Sequence, residues 1–592
     1  MPAPERYAAW PNLAAMFFDQ TWRMGERPFL WAKREGLFRP LTGRHAAMMA
    51  AALGRGLRRL GVEKGDRVML VSENRPEWLI ADVAIMAAGG ITVPAYTTNT
   101  TADHRHILND ATPKVVIVST PALAERLLPA VTHGTVILME GSAASPVPLI
   151  PWAEMVAGDD QTGMPETLAA VTGDDTACII YTSGTGGAPK GVMLSHHAIL
   201  FNCQGAFDIL NTLGLENEVF LSFLPLSHSY EHTAGQFFPL SIGAEIYYAE
   251  GIERLASNLL EARPTLMTAV PRLYELLRTR MLQAVAREGG LRARAFHHAL
   301  ALGQKRYEAE ASLSLAQRLT DRLLDRLVRR QVAARFGGRL KAMISGGAPL
   351  NPDVGLFFTA LGVRVLQGYG QTETAPIVSC NRPGTMRLDT VGPPLEGVSV
   401  RLADDGEILV RGPLLMQGYW NQPDTTSTVI DADGWLHTGD VGAFDSMGRL
   451  RITDRKKDII VNSGGDNISP QRMEGFLTLE PEIGQAMVHG DRRPHLVAVI
   501  VPNQDFLKAW IGTHGGSPAQ MVDEPAFRKA IGLAVDRVNR SVSPLEKVRR
   551  FILVPEPFSV ANGMLTPTLK VRRHVVRQVH GARLESLYEG SL

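Results

Sequence analysis

Residues Tyr181–Gly191, YTSGTGGAPKG, combine hydroxyls, glycines and one ammonium in a spacing suited to holding phosphate. Thr182, Ser183 and Thr185 alternate with Gly184, Gly186 and Gly187, and Lys190 follows Pro189. Glycines let a backbone approach a ligand and turn its N–H groups inward, while hydroxyls and an ammonium complete a cradle for phosphate oxygens. The segment follows DTACII, Asp175–Ile180, an apolar run that predicts a buried strand. It is not a Walker A loop, because Gly191 stands where that motif needs a magnesium-binding hydroxyl. Taken alone, such a loop is equally a glycine-rich surface turn.

Other polar groups recur in loops at the ends of short apolar runs that read as strands. ISGGAPL carries Gly347 and Ala348, and QGYGQTET carries Gly368, Tyr369, Gly370, Gln371, Thr372 and Glu373. LHTGD ends in Asp440, and NGMLTPTLKVRR contains Lys570. Each is weak singly; their order and identity are not.

The elements that must position these groups alternate between helical and strand patterns. His45–Leu60 has helical spacing, Arg67–Ser72 predicts a strand, and Pro76–Ala88 predicts a helix opened by proline. Further strands are expected at Phe220–Leu226, Glu245–Ala249, Pro264–Val270 and within Leu340–Gly347. The expected fold class is α/β: doubly wound subdomains, then an antiparallel β-rich subdomain over Val391–Leu450 with Asp-Gly turns, then a small α/β domain. DRKKD, Asp454–Asp458, punctuates the chain, which predicts an N-terminal domain 1–456 and a C-terminal domain 457–592.

Strands vanish between Pro271 and Gly338. There Leu315, Leu319, Leu323 and Leu327 form one stripe and Arg318, Arg322, Arg326 and Arg330 the next, which predicts a basic amphipathic helix. It suits contact with an anionic membrane, or a solvated helix packed on its own domain.

With 592 residues the chain needs at least two domains. Lys+Arg total 61 against 60 Asp+Glu, so no global charge points to nucleic acid. Cys178, Cys203 and Cys380 are far apart and lack a CxxC pair, which excludes a disulfide scaffold and suits a reducing compartment. No signal peptide is visible, and the most apolar window, Leu79–Tyr96, contains Asp82, Gly89, Gly90 and Pro94. The expectation is a cytoplasmic protein, with membrane contact only at the surface of the inner face. Nothing in the chain decides between a monomer and a homodimer.

The chain resembles the AMP-forming adenylating superfamily across nearly its full length, most closely the bacterial long-chain fatty acid:CoA ligases. The resemblance rests on YTSGTGGAPKG, LPLSHSYEH, ISGGAPL, QGYGQTET, GYW, WLHTGD, TDRKKDIIVNSGGDNISP and LTPTLK in that order. It implies that ATP and a fatty acid form an acyl-adenylate, after which coenzyme A displaces AMP. An acyl-AMP ligase loading a carrier protein, a coenzyme A ligase for another carboxylate, and a nucleotide-binding ATPase without acyl chemistry are the alternatives.

By the same resemblance, Thr182 to Lys190 hold the β- and γ-phosphates and Glu373 ligates Mg2+. Thr372 meets the α-phosphate, Tyr369 stacks on adenine with Gly347 and Ala348 opposite, and Asp440 takes the ribose with Arg455 beside it. Lys570 reaches the acyl carboxylate and α-phosphate during adenylation. Lys457 is the hinge, and Gly464 and Gly465 face the thiol. His228 is substrate-proximal, with a structural histidine as the alternative; His228, Glu231 and His232 do not follow HExxH, and no third metal ligand is evident. Gly186, in place of a threonine, and Asp466, in place of a glutamate, depart from the family pattern.

Overall fold

A computed structural model describes residues 7–157, 166–182, 188–309, 313–464, 466–566 and 569–589. Short strands buried along their whole length, such as Val115–Val118 and Leu266–Ala269, have no solvent face and so need helices on both sides. They build two eight-stranded sheets with parallel interiors.

The first sheet runs, in spatial order, Gly418–Tyr419, Lys190–Ser195, Thr176–Thr182, Ile91–Ala95, Arg67–Val71, Val115–Val118, Thr135–Leu138 and Leu149–Pro151. Its first three strands are antiparallel to one another, and the register pairs Thr182 with Lys190. Both ends of the glycine-rich segment are therefore held together. The second sheet runs Ile377–Cys380, Val365–Gly370, Ala342–Ser345, Leu266–Ala269, Val219–Ser222, Glu245–Tyr248, Pro28–Arg34 and Leu37–Thr42. The helix Pro76–Ala87 is buried on every side, in the core that the two sheets share.

A four-stranded antiparallel sheet follows: Ser399–Leu402, Glu407–Arg411, Leu436–Phe444 and Leu450–Arg455. Beyond it, Ile483–His489, Leu496–Pro502 and Val548–Leu553 form a three-stranded sheet with its own core around Phe527 and Ile531. No helix among the described residues is long and apolar enough to cross a membrane.

Three expectations change. The strand expected over Phe220–Leu226 ends at Ser222, because the chain turns at Pro225, whose carbonyl accepts from the His228 N–H at 3.0 Å. Asp440, placed by sequence at a loop end, lies inside Leu436–Phe444 opposite Arg455. The basic helix is Leu315–Leu324 and Arg330–Arg335 joined by a π turn at Asp325–Arg329, and its leucine stripe faces solvent.

Candidate active site

Two strands from different sheets bring Tyr369 and Asp440 together. The Tyr369 hydroxyl donates to Asp440 Oδ2 at 2.8 Å, and Arg455 Nε donates to Oδ1 at 3.1 Å. Asp440 is buried, yet each oxygen keeps a second lone pair for another donor. Burial, and then the Asp440 charge, raise the Tyr369 phenol well above its ordinary pKa, so it remains a donor.

The strand bearing Tyr369 runs into the turn Thr372–Thr374, whose Gln371 N–H donates to Thr374 Oγ1 at 3.1 Å. Gly370 is obligatory there: a Cβ would lie 1.7 Å from the Pro376 carbonyl oxygen. Thr372 is buried, with Oγ1 3.1 Å from Ser229 Oγ. Gly368 precedes Tyr369 in the same strand, opposite Cys380. Gly347, at φ +81°, and exposed Ala348 follow the neighbouring strand Ala342–Ser345.

Glu373 meets a residue to which the sequence assigned no role. Tyr419 OH donates to Glu373 Oε1 at 2.9 Å, and Lys190 Nζ lies 4.9 Å from the centroid of the same ring. One phenol thus touches an anion with its hydroxyl and a cation with its face. Burial and then the Glu373 charge push its pKa up, keeping the hydroxyl a donor. The available signal was the GYW motif, whose Tyr419 pairs with Val192 beside Lys190.

His228 is half-buried, and its Nδ1 accepts from the Tyr230 N–H at 3.1 Å. Burial, and then the nearby Lys570 charge, lower its pKa to about 3, so the ring is neutral near pH 7. Glu231 turns away from it. Its oxygens accept from Ser222 Oγ at 2.7 Å and Thr268 Oγ1 at 2.6 Å, and burial raises its pKa to about 7. His232 pairs with buried Asp82 at 2.8 Å. Among the described residues no cluster of three metal-ligating side chains forms.

Lys570 comes to the same cleft from the C-terminal segment. Its backbone is fixed by a tight turn in which Thr566 N–H donates to Lys570 O at 2.8 Å and Lys570 N–H to Thr566 Oγ1 at 3.0 Å. Burial, and then Arg455, lower the ammonium to a pKa of about 8 against the opposing pull of Asp440 and Glu373. Its charge therefore senses His228, Arg455, Asp440 and Glu373 at once.

Gly464 stands apart from this set, in a turn where Asn462 Oδ1 accepts from the N–H groups of Gly464 and Asp466, both at 2.9 Å. Asp466 returns the contact, accepting from Asn462 Nδ2 at 3.1 Å. Lys457 is exposed in the turn after Arg455. Ser183, Gly184, Thr185, Gly186, Gly187 and Gly465 lie outside the described residues.

The chain matches the model of the AMP-binding enzyme family over residues 17–420 and that of the AMP-binding enzyme C-terminal domain over residues 457–591. It is 34% identical to long-chain-fatty-acid--CoA ligase FadD15 of Mycobacterium bovis, covering 99% of both chains. It is 32% identical to the peroxisomal long chain acyl-CoA synthetase 6 of Arabidopsis thaliana, over 94% of this chain and 82% of that one. Among solved structures, the A domain of carboxylic acid reductase from Segniliparus rugosus, in complex with AMP and a co-purified carboxylic acid, superposes with a TM-score of 0.81. That match covers 100% of this chain and 96% of the other at 22% identity, a likeness of fold. The fold, the full-length relatives and both family models agree: the chain belongs to the AMP-binding enzyme family, the adenylate-forming acyl-CoA synthetases.

Proposed function

We propose that the protein joins a medium- to long-chain fatty acid to coenzyme A through an acyl-adenylate, consuming ATP and releasing AMP and pyrophosphate. The observation that carries this reading is the electrostatic coupling of Lys570 to Asp440, Arg455 and Glu373, all three of which lie more than a hundred residues before it in the chain. The names of the full-length relatives support the substrate class.

In the first step a carboxylate oxygen attacks the α-phosphorus, and the bond to pyrophosphate breaks. An anion attacks an anion, so positioned cations and donors supply most of the catalysis. Asp440 accepts from the ribose hydroxyls with the lone pairs that Tyr369 and Arg455 leave free. Tyr369 packs on adenine, opposite Gly347 and Ala348, with Gly368, Gly370 and Gln371 beside it. Thr372 donates to the α-phosphate, and Thr182 to Lys190 enclose the outer phosphates. Lys570, protonated, neutralises charge at the reacting carboxylate and α-phosphate.

Magnesium suits Glu373. A single carboxylate beside substrate phosphates is its common protein setting, and among the described residues only one oxygen of the Glu373 carboxylate accepts a hydrogen bond. When bound, the ion neutralises the triphosphate. Tyr419 orients that carboxylate, and Lys190 balances it.

For the second step we place a boundary at 456/457 with Lys457 as hinge. The segment bearing Lys570 withdraws, and Gly464 and Gly465 come to the thiol. Neutral His228 remains at the cleft to orient substrate. Buried, unpaired Cys178, Cys203 and Cys380 fit a cytoplasmic setting.

Mass spectrometry of products tests the reading. Purified protein with magnesium-ATP and acids from butyrate to oleate should give long-chain acyl-CoA, AMP and pyrophosphate once coenzyme A is added. Acyl-adenylate accumulating despite coenzyme A would replace this reading with carrier loading. ADP and phosphate without acyl product would refute it.

A further inference from the structure

The helical segment Leu315–Arg335 turns part of its apolar surface outward. Leu315, Leu319, Leu323 and Leu327 are 80%, 67%, 56% and 51% exposed. Loose docking is not the cause. The opposite face packs Leu324, Val328 and Val332 into a core with Phe296 and Leu302. Buried Arg329 also pins the π turn, donating to Asp321 at 2.6 Å and to the Ala360 carbonyl at 2.8 Å. The leucines are apolar surface beyond what the fold uses.

Each is followed three residues on by an arginine, Arg318, Arg322, Arg326 and Arg330, a spacing that puts both on one side of a helix. All four are exposed, and among the described residues none forms an ion pair. Between Pro271 and Arg339 the sequence has 15 Lys+Arg against six Asp+Glu, whereas the whole chain has a net charge of +1. The positive charge is therefore concentrated in this helical region, and the remainder of the chain is net acidic.

We infer that this face docks on an anionic lipid bilayer, with the leucines entering the boundary between headgroups and acyl chains and the guanidiniums meeting lipid phosphates. Charge decides the occupant. A second copy of the chain would bring the same positive excess against itself, whereas an anionic bilayer complements it and receives the leucines. The surface lies outside the proposed chemistry and would present the enzyme to acids partitioned into the bilayer.

Co-sedimentation of the full chain with vesicles tests this. Wild type should bind phosphatidylcholine mixed with phosphatidylglycerol, fail on phosphatidylcholine alone, and release as salt rises. R318Q/R322Q/R326Q/R330Q should lose binding, by roughly five-fold per arginine removed. L319S/L323S should also lose it with every charge kept. All six positions are exposed, so unchanged thermal unfolding verifies the fold of both variants. Wild-type indifference to the anionic vesicles, or full binding by the arginine variant, would overturn the proposal. So would a wild-type dimer that L319S/L323S converts to monomer without altering vesicle binding. Vesicle binding without any acyl-CoA product would refute the proposed chemistry and leave the docking surface standing.

Discussion

The site has two halves that are held in different ways. Tyr369, Asp440, Arg455, Glu373 and Tyr419 are cross-linked by direct hydrogen bonds between elements of three sheets. Lys570 has no such bond from its ammonium among the described residues; only its backbone turn is fixed, and its tie to the cleft is electrostatic. The first half resembles a preformed mould, and the second a charge brought to it. Hydrogen-bonded groups cannot leave without losing partners, whereas a group held by its charge alone can withdraw at smaller cost. Under the function proposed above, a reaction in two steps uses that difference: nucleotide contacts serve throughout, and the lysine serves one step.

The sharpest break comes from removing the carried charge. Lys570→Ala should slow acyl-CoA formation from ATP by on the order of 10²–10³-fold, as for loss of one transition-state donor. Within the fixed half, Asp440→Asn leaves Arg455 and Tyr369 facing a neutral amide. It should raise KM for ATP by roughly 10- to 100-fold while kcat changes less, read by steady-state kinetics.

The pH profile separates the halves more finely. Lys570 acts as a cation, and burial with Arg455 lowers its pKa to about 8, so activity is present below that pH and lost above it. For the adenylation step, kcat/KM should fall about tenfold per unit above that pKa, and the fall should be absent in Lys570→Ala. A profile identical in both proteins would remove the lysine from the account. The smallest effect is expected from Tyr419→Phe. It keeps the ring under Lys190 and deletes only the hydroxyl that orients Glu373, for a loss of roughly five- to ten-fold in kcat/KM at low magnesium.

Much of the fold was legible because its strands are apolar along their length and a helix can carry a clear start, as at Pro76. Proline at a helix start and wholly apolar runs are local signals, and sequence displays local signals directly. Tyr419 was not legible as part of the site. Its partners Lys190 and Glu373 are far away in sequence, and only the pairing of Gly418–Tyr419 with the strand after Lys190 unites them. Asp440 looked like a loop end because Gly439 precedes it, yet the strand continues through with Gly439 at φ +71°. The Leu315 stripe shows the same limit from the other side. Periodicity identifies a face but not what lies against it, and here the packed face is the one bearing Leu324 and Val328.

The most direct test of the fixed and carried halves supplies preformed acyl-adenylate and coenzyme A to Lys570→Ala in a single turnover. The account predicts that thioester forms at the wild-type rate while adenylation from ATP in the same protein is crippled. Equal loss in both half-reactions would contradict it, because the lysine would then belong to the fixed half of the site.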